Sequence, residues 1–278
     1  WINYVYPYSA LKPTNVLGTQ EILRLASKVK IKPVHYISTI AVFESPAYWG
    51  KTLTESDPLA HSEGMKLAYS QSKWVAEKLV MIARDRGIPV SIYRPPFISG
   101  HSKTGAWYKD DVICRTIKGC IQMGSMTDIT DRLDLAPVDY LSQSIVYLSK
   151  QKDSIGKAFH LNNPQPGSWS QLSDFIREIG YSIEYLAYQD WQVQLSHAVR
   201  SKENPLYHLL PFFLKKLPQE QLATTKQYQQ LIDPQLSCSA TLSALNGSSI
   251  TCPPVNPQLL NTYFSYFIRS GWLDLAQK

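Results

Sequence analysis

The stretch LAYSQSKWVAEKLVMIARDRGIPVSIYRPP (67–96) carries the pattern that decides the fold. Its first part predicts a helix over 67–85: Val75, Leu79, Ile82 and Ala83 recur at helical spacing and share a face, and Gly87 follows as a stop. Pro89 to Arg94 is then a short β-branched and aromatic run, closed by Pro95-Pro96, and reads as a strand. Upstream, Leu11 to Lys30 reads as a helix, with Pro13 suited to its first turn and Val16, Leu23 and Ala26 at helical spacing. Val34-His35-Tyr36-Ile37 follows as a buried strand. Downstream, Asp110 to Ile121 and Val138 to Ser149 read as helices and Ala158 to Leu161 as a further strand. Strands alternating with helices predict an α/β domain with a parallel sheet.

The alternation fades after about Asn163. Ser168 with Gln171 predicts a capping box for a helix ending near Gly180. Beyond it lies a stretch rich in Trp, Tyr, Leu and Pro, without clear strands, and the polar run Ser237 to Cys252 reads as an irregular connection. The expected division is an α/β domain over 1–161 and a mostly helical subdomain over 162–278.

Composition narrows the class. The 278 residues are 44% hydrophobic and 18% charged, enough to bury a sizeable core and too apolar for a disordered chain. No apolar run reaches the roughly 18 residues of a membrane span. The opening Trp1-Ile2-Asn3-Tyr4 lacks the regions of a signal peptide, and a start on Trp rather than Met predicts that residue 1 is not the natural beginning. Cys114, Cys120, Cys238 and Cys252 form no CxxC pair, so no zinc site is expected, and their low number fits a reducing, cytoplasmic setting. The net charge of +6 is spread without a Lys/Arg block, which argues against nucleic acid as a partner.

Three sets of residues carry candidate chemistry. Tyr69-Ser-Gln-Ser-Lys73 places a phenol and an ammonium at i and i+4, on one helix face. A nearby ammonium favours the phenolate and makes the tyrosine proton available to a carbonyl oxygen as hydride arrives. With 17 tyrosines in the chain, about one YxxxK match arises by chance, and the bland alternative is a surface Tyr beside a solvated Lys. Ser38-Thr39 lies just past a strand, where a hydroxyl faces the ligand crevice of a parallel sheet; its alternative is a turn or cap. Asn15 sits inside a helical pattern, unfavourable unless its side chain is engaged or simply solvated.

Together these sets follow one order: helix Asn, strand-end Ser/Thr, helix YxxxK. On NVLGTQEILRLA (15–26), HYISTIAVF (35–43), YSQSKWVAEKLV (69–80), IYRPPFISGHSKTG (92–105), DDVICRTIKGCIQMG (110–124), APVDYLSQSIVYLS (136–149), AFHLNNP (158–164) and CPPVNPQLLNTYFSYFIRSGWL (252–273), the chain resembles the extended short-chain dehydrogenases/reductases. Within them it resembles the thioester reductase domains that end some nonribosomal peptide and polyketide assembly lines, and is similar to aminoadipate and carboxylic acid reductases. The resemblance implies a partial Rossmann-type, doubly wound parallel sheet with a helical substrate subdomain. It implies Tyr69 as proton donor, Lys73 as the residue that lowers its pKa and holds the nicotinamide ribose, Thr39 as the residue orienting the substrate carbonyl, and Asn15 as an organiser of a water or of the active-site helix. Pro95, Pro96, Phe97 and Ile98 are expected to line the nicotinamide pocket, and Gly100 and the loop His101 to Gly105 to border the substrate channel.

The implied reaction is hydride transfer from NADPH to an acyl or peptidyl thioester carried on the phosphopantetheine arm of a carrier protein, releasing an aldehyde and in some relatives an alcohol. The alternatives are an acyl-CoA or carboxylic acid reductase, and an inactive carrier-docking remnant. Trp169, Trp191, Tyr185 and Tyr188 are read either as an apolar channel or as core, and Arg200, Lys202, Lys215 and Lys216 either as a surface for an acidic carrier or as a solvated face. One feature of the family is not found. None of the 13 glycines forms GxxGxxG or GxGxxG, the turn that cradles a dinucleotide's pyrophosphate, so the first part of the nucleotide-binding sheet is expected to be missing and the chain alone to bind NADPH poorly.

Overall fold

The computed structural model describes residues 1–127, 132–198, 203–214 and 234–276. In chain order its elements are helix α1 (Tyr8–Lys12), a π-helical turn (Pro13–Leu17), α2 (Gly18–Ser27), strand β1 (Val34–Ile37), β2 (Thr52–Leu53), α3 (Ala68–Asp85), β3 (Val90–Arg94), β4 (Phe97–Ser99) and α4 (Val112–Met123). They continue with β5 (Ser125–Thr127), β6 (Leu135–Pro137), α5 (Val138–Ser149), β7 (Ala158–His160), α6 (Trp169–Glu178), β8 (Glu184–Leu186), α7 (Tyr188–Ala198) and α8 (Leu210–Phe213). The last are β9 (Gln235–Leu236), α9 (Ser239–Ala244) and α10 (Pro257–Arg269). The architecture is mixed α/β with parallel strands, of the Rossmann-like kind the sequence predicts.

The chain forms two compact units whose segments alternate along the sequence. The first comprises Trp1–Pro96, Tyr140–Asn162 and Leu231–Thr251, the second Phe97–Asp139, Asn163–Gln230 and Cys252–Lys278. The expected break at 161/162 therefore falls beside only one of several crossings, because strands and helices from distant parts of the chain complete each unit.

In the first unit β1, β3 and β7 form a parallel sheet with β3 central, Val34 opposite Val90 and Ile92 opposite Ala158. All five residues of β3 are buried, as a central parallel strand requires. The apolar character of β1 predicts a buried strand, but it lies at the edge of this sheet and only Val34 is fully covered. Leu23, Ala26, Val34, Val80, Val90 and Ile92 make the core between helices and sheet. The predicted helix 11–30 is α1, the π turn and α2 in succession, ending at Ser27. Pro13 opens the π turn instead of the first helical turn. The covered face of α3 is Tyr69, Ser72, Ala76, Glu77 and Val80; Ile82 points to solvent. Leu79 and Ala83 of the expected apolar face pack against this core, while the buried Glu77 is held by Ser38, just past β1, and Arg94 on β3. Ser237 to Cys252 is not wholly irregular, since it contains α9; just before it, β9 pairs in parallel with β2.

The second unit has a core of α4, α6, α7 and α10, in which Trp169 and Trp191 are buried and Tyr188 packs against them. The Ser168 cap and the Gln171 side chain form the reciprocal capping box of α6, and Gly180 follows it with φ +99°. Gly100 and Gly105 shape the loop before α4. A Cβ on Gly105 would stand 2.3 Å from the Thr262 carbonyl oxygen, and its φ is +75°, so glycine alone fits there.

Candidate active site

β1 ends at Ile37, and the chain turns at Ser38 and Thr39 over the carboxyl edge of the sheet. Ser38 N–H donates to the Tyr93 carbonyl at 2.6 Å and Ile40 N–H to the Pro95 carbonyl at 3.0 Å, which fixes this turn against the end of β3. Thr39 caps the short 3₁₀ segment Ile40–Phe43 by accepting from Ala41 N–H at 3.2 Å. Its hydroxyl proton is left for Tyr69, with which it is hydrogen-bonded. Thr39 thus takes the cap role, with its hydroxyl also turned to Tyr69.

Tyr69 and Lys73 lie on the first turns of α3. Burial pushes the Tyr69 phenol above its usual range, and the Thr39 hydrogen bond pulls it back. The ring of Tyr4 meets Tyr69 edge-on, with centroids 5.6 Å apart. The Lys73 ammonium turns toward β1 rather than to Tyr69: it donates to the Tyr36 hydroxyl at 2.9 Å and to the Ile37 carbonyl at 2.8 Å. Burial lowers the Lys73 pKa to about 8, with the Glu77 carboxylate opposing the fall. The tuning of Tyr69 in this state therefore comes from Thr39 and from burial.

Asn15 occupies the π turn, is buried, and is fully engaged. Its amide donates to the Trp1 carbonyl at 2.9 Å and to Ser72 Oγ at 2.9 Å, and Ser72 in turn donates to the Tyr69 carbonyl at 2.7 Å. A π turn widens the helix locally and is often found at functional sites. Here it aims Asn15 at the first turn of the tyrosine's helix. Behind this layer lies a buried ionic group: Ser38 Oγ donates to Glu77, and Arg94 donates to Glu77 Oε1 through Nε at 3.0 Å and through Nη2 at 2.6 Å. Arg94 Nη1 faces His160 Nε2 at 3.1 Å, and His160 Nδ1 faces the Ser237 carbonyl at 2.8 Å.

Asn15, Thr39, Tyr69 and Lys73 are thus gathered in the first unit, with Pro95 and Pro96 buried at the end of β3. Phe97, Ile98, Gly100 and His101 belong to the second unit. There Phe97 and Ile98 are exposed on β4, which pairs with β6, and Gly100 is buried. The loop after Gly100 is closed by hydrogen bonds from His101 N–H to Ala106 O and from Gly105 N–H to His101 O, both 2.9 Å. Ser102 anchors it by donating to both carboxylate oxygens of Asp139, at 2.8 and 2.6 Å. Tyr263 adds its hydroxyl to the Gly100 carbonyl at 3.1 Å. Trp169, Trp191 and Tyr188 serve as core. Arg200, Lys202, Lys215 and Lys216 lie outside the described residues.

Residues 1–145 match the model of an NAD-binding domain family described as male sterility protein. The chain belongs to that family. Over 277 residues it is 35% identical to a linear gramicidin synthase polypeptide of Brevibacillus parabrevis, covering 99% of this chain and 5% of that protein. It is 32% identical to the aldehyde reductase lnaA of Aspergillus flavus, covering 97% of this chain and 27% of that one. Among solved structures, the terminal R domain from the myxalamid PKS-NRPS pathway matches with a TM-score of 0.90 and 40% identity, over 100% of this chain and 68% of that domain.

A nicotinamide cofactor is what this family binds, and the residues fit one end of it. The Lys73 ammonium has a third N–H with no partner among the described residues, one helical turn beyond Tyr69, which suits a ribose hydroxyl. The phosphate end finds no cradle among the described residues. Gly18, the glycine nearest a helix start in the first unit, would meet nothing closer than Pro13 O at 3.8 Å if it carried a Cβ, so nothing there demands glycine. Sequence reasoning passes over Tyr36 and Glu77. The alternation of β1 is the available signal, since Tyr36 and Ser38 share the face turned to α3.

Proposed function

We propose that this chain is the catalytic portion of an NADPH-dependent thioester reductase that releases a carrier-bound acyl or peptidyl group as an aldehyde. The observation that carries this reading is the Thr39 hydroxyl against Tyr69 on the first turn of α3, with Lys73 one turn further on and bonded to the Ile37 carbonyl at the end of β1. A bound nicotinamide supplies the hydride. Thr39 gives a hydrogen bond to the thioester carbonyl and holds it in place. Tyr69 passes its proton to the carbonyl oxygen as negative charge builds there. The raised pKa of Tyr69 keeps that proton on the phenol at neutral pH. Lys73 extends its third N–H to the ribose hydroxyls, and Asn15 holds the tyrosine's helical turn through Ser72. The tetrahedral hemithioacetal then expels the thiol and leaves the aldehyde.

The partner is a carrier protein with its phosphopantetheine arm, and the four cysteines, none in a disulfide, support a reducing compartment, the cytoplasm. Among the described residues no helix is long and apolar enough to cross a membrane. Two other readings remain distinct. An acyl-CoA or carboxylic acid reductase would use the same residues on another acyl carrier, and a non-catalytic docking module is favoured by the missing phosphate cradle. The test is reduction of matched acyl-carrier and acyl-CoA thioesters by the natural polypeptide, with NADPH or NADH, followed by aldehyde trapping. Carrier-dependent aldehyde with NADPH is expected. Preference for acyl-CoA supports the second reading, and carrier binding without turnover supports the third.

A further inference from the structure

Tyr36 lies on the edge strand β1 and has no part in the proposed proton transfer, yet it makes the closest side-chain contact to Lys73. The geometry follows from two repeat lengths. Residues two apart on a strand lie roughly 6.6 Å apart, and residues four apart on a helix about 6 Å. The pair Tyr36 and Ser38 can therefore meet the pair Lys73 and Glu77 rung for rung, and does: Lys73 Nζ donates to Tyr36 Oη at 2.9 Å, and Ser38 donates to Glu77. The ammonium also lies 4.4 Å from the Tyr36 ring centroid and donates to the Ile37 carbonyl at 2.8 Å. Two of its three N–H groups are thus fixed by consecutive residues of one strand, and the third is left for a ligand.

We propose that Tyr36 is a positioning residue for Lys73, whose hydroxyl oxygen sets where the ammonium points and how high in pH it keeps its charge. The inference rests on the reading of Lys73 as part of the catalytic set. The Tyr36 hydroxyl is suited to this because it stays neutral: burial raises its pKa, the Glu77 charge adds to the rise, and the Thr19 hydroxyl only partly offsets it. A neutral oxygen accepts more strongly from an ammonium than from an amine, so it favours the charged form of Lys73 against burial. The other ionisable group facing Lys73 is Glu77, on its own helix. The Glu77 carboxylate is shared with Arg94, on β3, and Ser38.

Tyr36→Phe keeps the ring and deletes only the acceptor. With ¹³C-labelled lysine, the Lys73 titration midpoint is expected to fall by about half a pH unit or more, as loss of one favourable contact to the charged form implies. In the natural polypeptide, the alkaline limb of kcat/KM moves the same way and the KM for the nicotinamide cofactor rises, while the melting temperature stays within about 2 °C. Tyr36→Gln, which returns an acceptor, restores part of the midpoint; a purely structural role gives no such rescue. Titration and pH profiles of the Phe variant that overlay the parent overturn the inference, and so does a Gln variant that titrates like Phe. Tyr69→Phe and Lys73→Ala run alongside. If either retains full turnover, the catalytic reading itself fails; if both are inactive and Tyr36→Phe is silent, only the role of Tyr36 fails.

Discussion

Tyr69 and Lys73 occupy successive turns of α3, but the proton on each answers to a different neighbour. Tyr69 is held above the usual phenol range by burial and eased by Thr39; Lys73 is held down, at about 8, by burial and supported by Glu77. Reduction needs the phenol protonated and the ammonium charged. The first condition holds throughout neutral pH, so the second sets the limit. As pH rises through about 8 the lysine loses its proton in the folded protein, and kcat/KM is expected to be level below that value and to decline above it. Tyr69→Phe is expected to lower kcat by about 10²–10⁴-fold without changing the melting temperature, the usual range for removing a positioned proton donor. A Phe variant with undiminished kcat would remove Tyr69 from the chemistry. The sequence places both residues on one helix face, but their pKa directions depend on burial and on Thr39, 30 positions away, which no local pattern encodes.

Among the elements, α3, β3, β7 and the segment at Ser237 are joined by the buried chain Glu77, Arg94, His160. The partners define the histidine's tautomer. A carbonyl only accepts, so Nδ1 carries the hydrogen that points to Ser237 O, and Nε2 accepts from Arg94. The imidazole is therefore neutral, and burial first, then the Arg94 charge, lowers its pKa to about 4. The sign follows. Between about 6.5 and 4 the unfolded chain binds a proton that the folded chain refuses, so this histidine costs stability as pH falls through that window. Thermal melts from pH 7 to pH 4 are expected to show the loss. His160→Gln is expected to melt lower at pH 7 but to lose less on acidification, and an equal pH slope in both proteins would exclude the histidine as the source. The same buried chain explains why the covered face of α3 departs from its apolar pattern. Leu79 and Ala83 of the expected stripe pack against the core, yet the fully buried residues of α3 are Tyr69, Ser70, Ser72, Ala76, Glu77 and Val80, a carboxylate and two serines among them. Hydrophobic periodicity has no means to anticipate Glu77 inside until Arg94 and Ser38 are known to face it. The elements whose limits rest on local signals are legible: α5 over Val138–Ser149, the Ser168 capping box, and β1 over Val34–Ile37.

For the whole molecule, the alternation of strands and helices is enough to indicate a parallel α/β arrangement, but not that the chain crosses between two units several times. That depends on pairings such as β2 with β9, some 180 residues apart, and a two-residue strand leaves almost no pattern. What these 278 residues lack is as informative for ligand binding as what they hold. Lys73, Tyr69 and Thr39 offer hydrogen bonds to a ribose and a carbonyl, whereas the pyrophosphate of a dinucleotide is normally met by backbone N–H groups at a glycine-rich turn opening a helix. No GxxGxxG or GxGxxG occurs in the sequence, and at the start of α2 the Gly18 N–H is already given to the Pro13 carbonyl. β1, moreover, has one edge without a neighbouring strand among the described residues, and Ile22 and Leu25 of α2 and Ile37 of β1 are exposed. On the proposed reading, Lys73 meets the ribose end of the cofactor, and no glycine-rich cradle for its phosphates occurs among the described residues. Titration of these 278 residues with NADPH, followed by nucleotide fluorescence, is expected to give a Kd of about 0.1 mM or weaker, a binding free energy of no more than about −5.5 kcal/mol. Lys73→Ala is expected to weaken even this, because the ribose contact is then the main one left. Binding in the low micromolar range would mean that some other group takes the phosphates, and the cradle would have to be sought elsewhere in the chain.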